Sequence, residues 1–169
     1  CVNLDQTHAI VRLIRLFTEK LNSNSLIVTE TNLPFHENLS YFGNSDEAHL
    51  IYNFSLAPLI INTLIKGDSN AFRRWSMGMP PSRLGASYIN FLANHDGLGL
   101  RPLEGILNRK DLEVFLNTLK KFGSKFTYRK HNNESVVYEA NISLMDALSG
   151  TVRGKDNFSF KRFICAHAI

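Results

Sequence analysis

The sequence predicts an α/β fold built from βα units around a parallel sheet. Three short runs, "LIVTETN", "HLIYNFS" and "SYINFLA", have the continuous apolar and β-branched character of strands buried on both faces. The segments between the last two runs carry apolar residues at helical spacing and end at glycine or proline. This alternation of buried strands with amphipathic helices is typical of a parallel sheet.

The first predicted helix spans residues 8–22, before the first strand. Its apolar stripe consists of Ile10, Leu13, Ile14, Phe17 and Leu21. Arg12, Arg15 and Glu19 occupy the opposite side. Because apolar residues recur every three or four positions, the segment is expected to be an amphipathic helix.

Two further helices are predicted between the second and third strands. The run "LAPLIINTLIKG" has proline in its first turn and ends at Gly67, which is the expected order of these two residues in a helix. Asp68 or Ser69 can cap the next helix, "NAFRRWSMGM", and the following two prolines stop it. Trp75 and Met77 lie on this helix, where we interpret them as packing residues.

The alternation of strands and helices stops after Gly97, and residues 97–157 do not follow the βα pattern. The run "NRKDLEVFLNTLKKFG" predicts a helix with one apolar face and Gly123 as its terminator. "KFTYRKHNNESVVYEANIS" alternates around a polar "HNNE" turn and predicts a hairpin. The final "NFSFKRFICAHAI" begins a new helix.

Length and composition limit the function classes. The chain has 169 residues, about one domain, and its 19 basic against 15 acidic residues give a net charge of +4. The basic run between Lys120 and Lys130 could contact phosphates, but a solvated helix end is the preferred interpretation, so no nucleic-acid partner is expected. Apolar runs are too short for a membrane span. Two cysteines make no disulfide framework, and a cytoplasmic protein is expected.

The candidate chemistry lies where the predicted strands end. Glu30 follows the first strand and Asp96 follows the third, with Asn94 and His95 immediately before it. Either acid alone could be a helix cap. Because ligands meet the carboxyl ends of parallel strands, two acids on one rim indicate a site. Paired carboxylates of this kind cleave glycosidic bonds.

Other kinds of site fit the sequence less well. The glycines after Asp96 lack the spacing of a dinucleotide-binding loop, and no Gly-x-Ser-x-Gly nucleophile elbow is present. No cysteine pair has metal-ligand spacing, and His36 and His49 are thirteen positions apart. We therefore expect no metal and no organic cofactor.

Short sequence segments around these residues resemble those of a known protein family. "LIVTETN" followed by "NFLANHDG" resembles the third and fourth signature regions of the α-amylase superfamily of retaining glycoside hydrolases and transglycosylases. "ENLSYFG", "EAHLIYNFSLAPL", "NHDGLGLRPLEGIL" and "YEAN" followed by "DALSG" resemble its sucrose-phosphorylase-like branch, of the glucosylglycerate phosphorylase type. The resemblance covers nearly all of the chain.

This resemblance implies part of a (β/α)8 TIM barrel with an inserted helix-plus-hairpin subdomain. Residues 1–96 would run from helix four to strand seven of the catalytic barrel. Residues 97–157 would be the subdomain inserted after strand seven. Residues 158–169 would begin the next barrel helix, which is truncated.

The resemblance also implies roles for the rim residues. Glu30 matches the general acid/base of the family, and Asp96 matches its transition-state stabiliser. His95 and Asn94 match the substrate-binding part of the same motif, where the histidine hydrogen-bonds the sugar. We add Arg101 as a hypothesis for a carboxylate or phosphate contact, because arginine presents a bidentate fork to such groups. A surface arginine without such a role is the alternative.

The catalytic nucleophile of the family is an aspartate two residues after an arginine, at the end of strand four. Asp5 has no arginine before it, so we expect the nucleophile upstream of this chain and expect the chain alone to be inactive. The parent enzyme would transfer glucose from an α-glucoside, such as sucrose or glucosylglycerate, to inorganic phosphate through a covalent β-glucosyl intermediate. The alternatives are a retaining α-glucosidase or transglycosylase and a non-catalytic remnant. The oligomeric state is left open.

Overall fold

The computed structural model describes residues 2–82, 84–131, 134–149 and 157–169. It contains two three-stranded sheets. The parallel sheet has the order β1 (Val28–Thr29), β2 (Leu50–Tyr52) and β3 (Ser87–Ile89). The antiparallel sheet has the order β4 (Leu98–Gly99), β6 (Glu134–Asn141) and β5 (Lys125–His131). The predicted α/β class is confirmed.

Seven α-helices are described along with these strands. They are α1 (Asp5–Leu21), α2 (Phe35–Leu39), α3 (Leu56–Lys66), α4 (Asn70–Met77), α5 (Arg109–Lys121), α6 (Leu144–Ser149) and α7 (Asn157–Ala168). Short 3-10 turns at Ser40–Phe42 and Arg101–Leu103 complete the framework. Among the described residues, no helix is long and apolar enough to cross a membrane.

The long helices and the hairpin lie where their patterns predict them, and the parallel strands are shorter than predicted. Val28 pairs with Leu50, and Ile51 pairs with Tyr88, so only the centre of each apolar run joins the sheet. The polar end of each run instead leaves the sheet at its carboxyl edge. The tip of the predicted hairpin turn, residues 132–133, lies outside the described residues.

Helix α1 contacts the fold through its charged face. Glu47 is only 2% exposed, and its Oε2 lies 2.6 Å from His8 Nδ1. Arg12 reaches Glu47 Oε1 at 3.3 Å, and Arg15 donates to the Glu47 carbonyl at 3.1 Å. A buried carboxylate needs such partners, because an unpaired buried charge is costly.

The apolar stripe of α1 is therefore exposed, contrary to what its amphipathic pattern suggests. Ile10, Leu13 and Phe17 are all exposed in the described structure. The physical reason is that β1 is an edge strand of this sheet, so no further strand lies beyond it among the described residues. The sequence pattern shows that α1 has two faces but does not show which face meets the fold.

Helix α3 is the centre of the main hydrophobic core. Leu59, Ile60 and Ile61 are buried, and they belong to one cluster with Phe115 of α5 and Leu148 of α6. This cluster joins the parallel βα segment to the residues that follow Gly97. The division at residues 96 and 157 stays a prediction, and a common core spans its first boundary.

A polar contact at the end of α3 reinforces this junction. Lys66 Nζ donates to Asp111 Oδ1 at 2.9 Å, which links α3 to the first turn of α5. The hydrogen bond from Lys66 holds the pKa of the Asp111 carboxyl below its usual value. Asn108 Oδ1 accepts from the Asp111 backbone N–H at 2.8 Å and caps α5.

Helix α4 agrees with its sequence pattern at its start and differs from it at its end. The predicted cap of α4 is provided by Asp68, whose Oδ1 accepts from the Asn70 backbone N–H at 3.0 Å, whereas Ser69 makes no side-chain cap bond. Trp75 is buried as predicted, but Met77 is exposed, so its interpretation as a packing residue is wrong. Met77 is the last residue of the helix and faces solvent, whereas Trp75 in the same turn belongs to the core cluster.

Replacing Phe115 with alanine tests whether α5 is part of the common core. Phe115 is 2% exposed, whereas the neighbouring Val114 is 55% exposed. We expect Phe115→Ala to lower the free energy of unfolding by about 3–5 kcal/mol, because it leaves a cavity in the core. Val114→Ala is the control and should change it by no more than about 0.5 kcal/mol.

Urea denaturation followed by circular dichroism measures both variants. Equal midpoints for Phe115→Ala and Val114→Ala would show that α5 does not pack on α3 in solution.

Candidate active site

The two rim acids line one cavity at the carboxyl edge of the parallel sheet. Glu30 comes directly after β1, and Asp96 lies in a turn between β3 and β4. The cavity has a volume of about 310 Å³. Its lining consists of Glu30, Asn32, Phe54, Asn94, Asp96, Gly97, Gly99, Arg129, Tyr138 and Glu139. The parallel pairing of the strands brings these distant positions to the same edge.

The loop that carries Glu30 is fixed by a buried asparagine. Thr31 Oγ1 donates to Asn38 Oδ1 at 2.6 Å, and Asn38 Nδ2 donates to the carbonyl of Tyr52 at 2.7 Å. Asn38 belongs to α2, a short helix that the sequence did not predict. The residue after Glu30 is thereby tied to the end of β2.

The residues of the third rim segment differ in exposure. Asp96 is 51% exposed and His95 is 86% exposed, with His95 Nε2 3.3 Å from Asp96 Oδ1. His95 does not line the cavity in this structure. Asn94 lines it, and its buried Oδ1 has no hydrogen-bond partner within the described ranges. An unpaired buried acceptor favours a ligand that supplies a donor, such as a hydroxyl group.

Amide and aromatic side chains follow β2, and of these Phe54 lines the cavity. Asn53, at the end of β2, is buried and donates through Nδ2 to Asn90 Oδ1 at 2.9 Å. The Phe54 and Phe91 rings pack edge to face with centroids 5.2 Å apart. The middle strand of the sheet therefore contributes support to the cavity, and the acids come from the strands on either side.

Arg101 lies outside this cavity. It is in the 3-10 turn after β4, and its Nε donates to Glu104 Oε1 at 3.2 Å. A second guanidinium nitrogen reaches Glu104 Oε2 at 3.5 Å. The proposed ligand contact of Arg101 stays a prediction, and its donors are directed to a carboxylate three residues along the chain.

The hairpin supplies the residues that the sequence reasoning missed. Arg129, Tyr138 and Glu139 line the same cavity as Glu30 and Asp96. The Arg129 guanidinium lies over the Tyr138 ring, 3.8 Å from its centroid, a cation–π arrangement. The word "YEAN" signalled the resemblance, but nothing local in it indicates that the hairpin folds over the rim.

A bulge in the hairpin positions Tyr138. Thr127 pairs with Glu139 whereas Tyr128 pairs with Val137, so Tyr138 is an extra residue in β6. Bulges re-aim a side chain and are common beside active sites. This irregularity is consistent with Tyr138 lining the cavity rather than continuing the regular alternation of the strand.

Two glycines allow the hairpin to approach the rim. A Cβ on Gly97, whose φ is +101°, would lie 2.7 Å from the carbonyl oxygen of Ala140. A Cβ on Gly99 would lie 2.7 Å from Asn32 Oδ1. The carbonyl of Tyr138 accepts from the Leu100 N–H at 3.1 Å and from Asn32 Nδ2 at 3.4 Å. Only glycine permits this backbone contact.

The chemistry available in the cavity is that of acids, amides and one guanidinium. In the part of the chain that the structure describes, no group of three or more His, Cys, Asp or Glu side chains could hold a metal ion. Two acids in one cavity suit proton transfer to an oxygen and stabilisation of developing positive charge.

Comparisons with known proteins agree with the resemblance. No model of a known protein family matches the chain. It is 39% identical over 149 residues to a glucosylglycerate phosphorylase of Spirochaeta thermophila, a match covering 88% of this chain and 25% of that protein. It is 36% identical over 171 residues to the glucosylglycerate phosphorylase of Escherichia coli, covering 100% of this chain and 30% of that protein.

A solved structure matches the fold. The sucrose 6F-phosphate phosphorylase of Thermoanaerobacter thermosaccharolyticum superimposes with a TM-score of 0.75 at 17% identity, covering 97% of this chain and 30% of that protein. This likeness confirms the predicted fold, part of a (β/α)8 barrel. The chain spans less than a third of the two curated relatives named above.

The contact between Gly97 and β6 can be tested with alanine. Gly97→Ala adds both a strained φ and a clash with the Ala140 carbonyl, whereas Gly67→Ala, at φ +69° with open space around it, adds only the strain. Strain alone costs about 1–2 kcal/mol, and overpacking adds about 1–3 kcal/mol. Gly97→Ala is therefore expected to destabilise the chain more, by at least about 1 kcal/mol.

Chemical denaturation gives the two free energies of unfolding. If Gly67→Ala is as destabilising as Gly97→Ala, the close approach of the hairpin is absent in solution.

Proposed function

Starting from the homology of this chain to a segment of the glucosylglycerate phosphorylases, we propose that it is part of a retaining α-glucoside phosphorylase. The parent enzyme would transfer glucose from an α-glucoside to inorganic phosphate and release α-glucose 1-phosphate. The observation that supports this most is the single cavity lined by Glu30 and Asp96 at the carboxyl edge of the parallel sheet.

In this proposal Glu30 is the general acid/base. Its carboxyl group donates a proton to the glycosidic oxygen as the bond to the anomeric carbon breaks. The exposed position of Glu30 at the cavity leaves it accessible to a leaving group that must depart toward solvent. In the second displacement the Glu30 carboxylate acts as the base and accepts a proton from the incoming acceptor.

Asp96 is the stabiliser of the oxocarbenium-like transition state. Its negative charge lines the same cavity as Glu30 and would stabilise the positive charge that develops on the sugar ring. Asn94 and His95 would hold sugar hydroxyls beside it. The unpartnered Oδ1 of Asn94 supports this role, because it can accept from a hydroxyl group.

The nucleophile is assigned to an aspartate outside these 169 residues. Asp5 begins helix α1 and does not line the cavity, so it is not a substitute. A glucosyl ester on that upstream carboxylate would be attacked by a phosphate oxygen at the anomeric carbon. Two inversions at this carbon retain the α configuration.

One basic side chain in the cavity could contact an anionic acceptor. Arg129 is the basic residue among the described lining residues, which also include three carboxylates. A guanidinium can bind phosphate or the carboxylate of glycerate in a bidentate manner. We propose Arg129 for this contact alongside Arg101, whose guanidinium is already bound to Glu104. A cytoplasmic location stays part of the proposal, on the low cysteine content.

Replacing Glu30 with glutamine in the longer protein that contains this chain tests the proposal. We expect phosphate-dependent release of glucose 1-phosphate from sucrose or glucosylglycerate to fall by at least about 100-fold, because the proton donor is removed. Glu113→Gln, an exposed position on α5 away from the cavity, is the matched control and should retain full activity.

The assay is run with and without inorganic phosphate. Release of free glucose without any phosphate requirement would instead indicate a retaining α-glucosidase or transglycosylase using the same two acids. Full activity of Glu30→Gln would contradict the assignment of the general acid/base.

A further inference from the structure

A second cavity lies away from the two acids, between α2, α4 and the segment after the 3-10 turn at Arg101–Leu103. It has a volume of about 240 Å³ and shares no lining residue with the first cavity. Its walls include Phe35, His36, Arg74, Trp75 and Ile106. None of these residues has a part in the proposed phosphorolysis.

The indole of Trp75, which lines this cavity, has a buried N–H group without an acceptor within the described part of the chain. Trp75 is 7% exposed, and its buried Nε1 has no hydrogen-bond partner among the residues that the structure describes. An indole N–H can only donate, and a buried donor without an acceptor costs about 1–3 kcal/mol. A ligand with an acceptor oxygen would remove this cost.

The other polar side chains of the cavity are also donors or cations. Arg74 is exposed, and its guanidinium makes no ion pair or side-chain hydrogen bond within the described part of the chain. The ring of His36 can add a further N–H donor. Among the described residues that line the cavity, none is Asp or Glu. The lining therefore suits an anion rather than a cation.

The remaining walls are apolar. The Phe35 and Trp75 rings meet edge to face with their centroids 5.8 Å apart, and Ile106 contributes an aliphatic side. An inorganic anion would leave this surface unused, whereas an apolar group would bury it at about 25 cal/mol per Å². The ligand that matches both parts has an anionic head and an apolar body.

We propose that this cavity binds a small organic carboxylate, with the carboxylate on Arg74 and the Trp75 N–H and the apolar body against Phe35 and Ile106. The site is separate from the glucose-transferring cavity and does not depend on the function proposed for it. It would take monocarboxylates whose body is about the size of a single ring, because larger groups exceed the cavity volume.

Trp75 provides a direct readout, because it is the only tryptophan of the chain. In a sample of these 169 residues, selective excitation of tryptophan therefore reports on this cavity alone. Titration with benzoate is expected to give a saturable change in Trp75 emission. Arg74→Gln should require about tenfold more benzoate, because it removes a charge-assisted hydrogen bond.

Arg73→Gln is the matched control. Arg73 is exposed on the same helix and does not line the cavity, so its variant should bind benzoate as the unaltered chain does. Circular dichroism verifies that both variants are folded. Benzoate should also raise the melting temperature of the Arg73 variant and of the unaltered chain more than that of the Arg74 variant.

One uncharged probe and one inorganic probe test the two parts of the proposed ligand separately. Benzyl alcohol lacks the negative charge, and inorganic phosphate lacks the apolar body, so neither should reproduce the saturable response. An equal response to benzyl alcohol would overturn recognition of the carboxylate. An equal response to phosphate would overturn the role of the apolar walls, and a linear, unsaturable change common to both arginine variants would overturn the site.

Discussion

The rest of the candidate site depends on the close backbone contact between residues 97–100 and strand β6. Gly97 and Gly99 lack the Cβ atoms that would collide with Ala140 and Asn32. The carbonyl of Tyr138 then accepts from both Leu100 and Asn32. Without this contact the hairpin would not face the carboxyl edge of the parallel sheet, and the acids there would lack an opposite wall.

The contact is supported from below by the core around α3. Leu59 and Ile60 pack in one cluster with Phe115 of α5 and Leu148 of α6, so the helices that flank the hairpin are fixed to the βα segment. A cavity that combines residues separated by more than 100 positions needs such a rigid base. Helix α1 is attached separately, through the contacts of His8 and Arg12 with Glu47.

Much of the framework could be predicted from local patterns. Helical periodicity, Gly67 at the end of α3 and the apolar runs indicated most elements, and the geometry of parallel sheets placed Glu30 and Asp96 on one rim. The strands were predicted too long, because hydrophobicity marks a buried segment and not the residues that pair. Short elements such as α2 and β4 had no periodic signal.

The sequence could not show which of several similar residues or helix faces meets the site or the core. Arg101 and Arg129 are both arginines in segments of mixed character, and only the fold shows which one faces the acids. The contact of Arg101 with Glu104, three residues away, was a local signal that could have lowered its rank. The exposed stripe of α1 shows the same limit, because amphipathicity does not specify the partner of each face.

The central claim is that the end of β1 and the hairpin meet at residues 97–99. The most direct test is a nuclear Overhauser measurement between the side-chain amide of Asn32 and the α protons of Gly99, whose groups are in contact in this structure. A clear cross-peak is the result predicted by the shared cavity. Its absence, in a sample where cross-strand peaks between β5 and β6 are present, would show that the hairpin folds without covering the rim and would contradict the site.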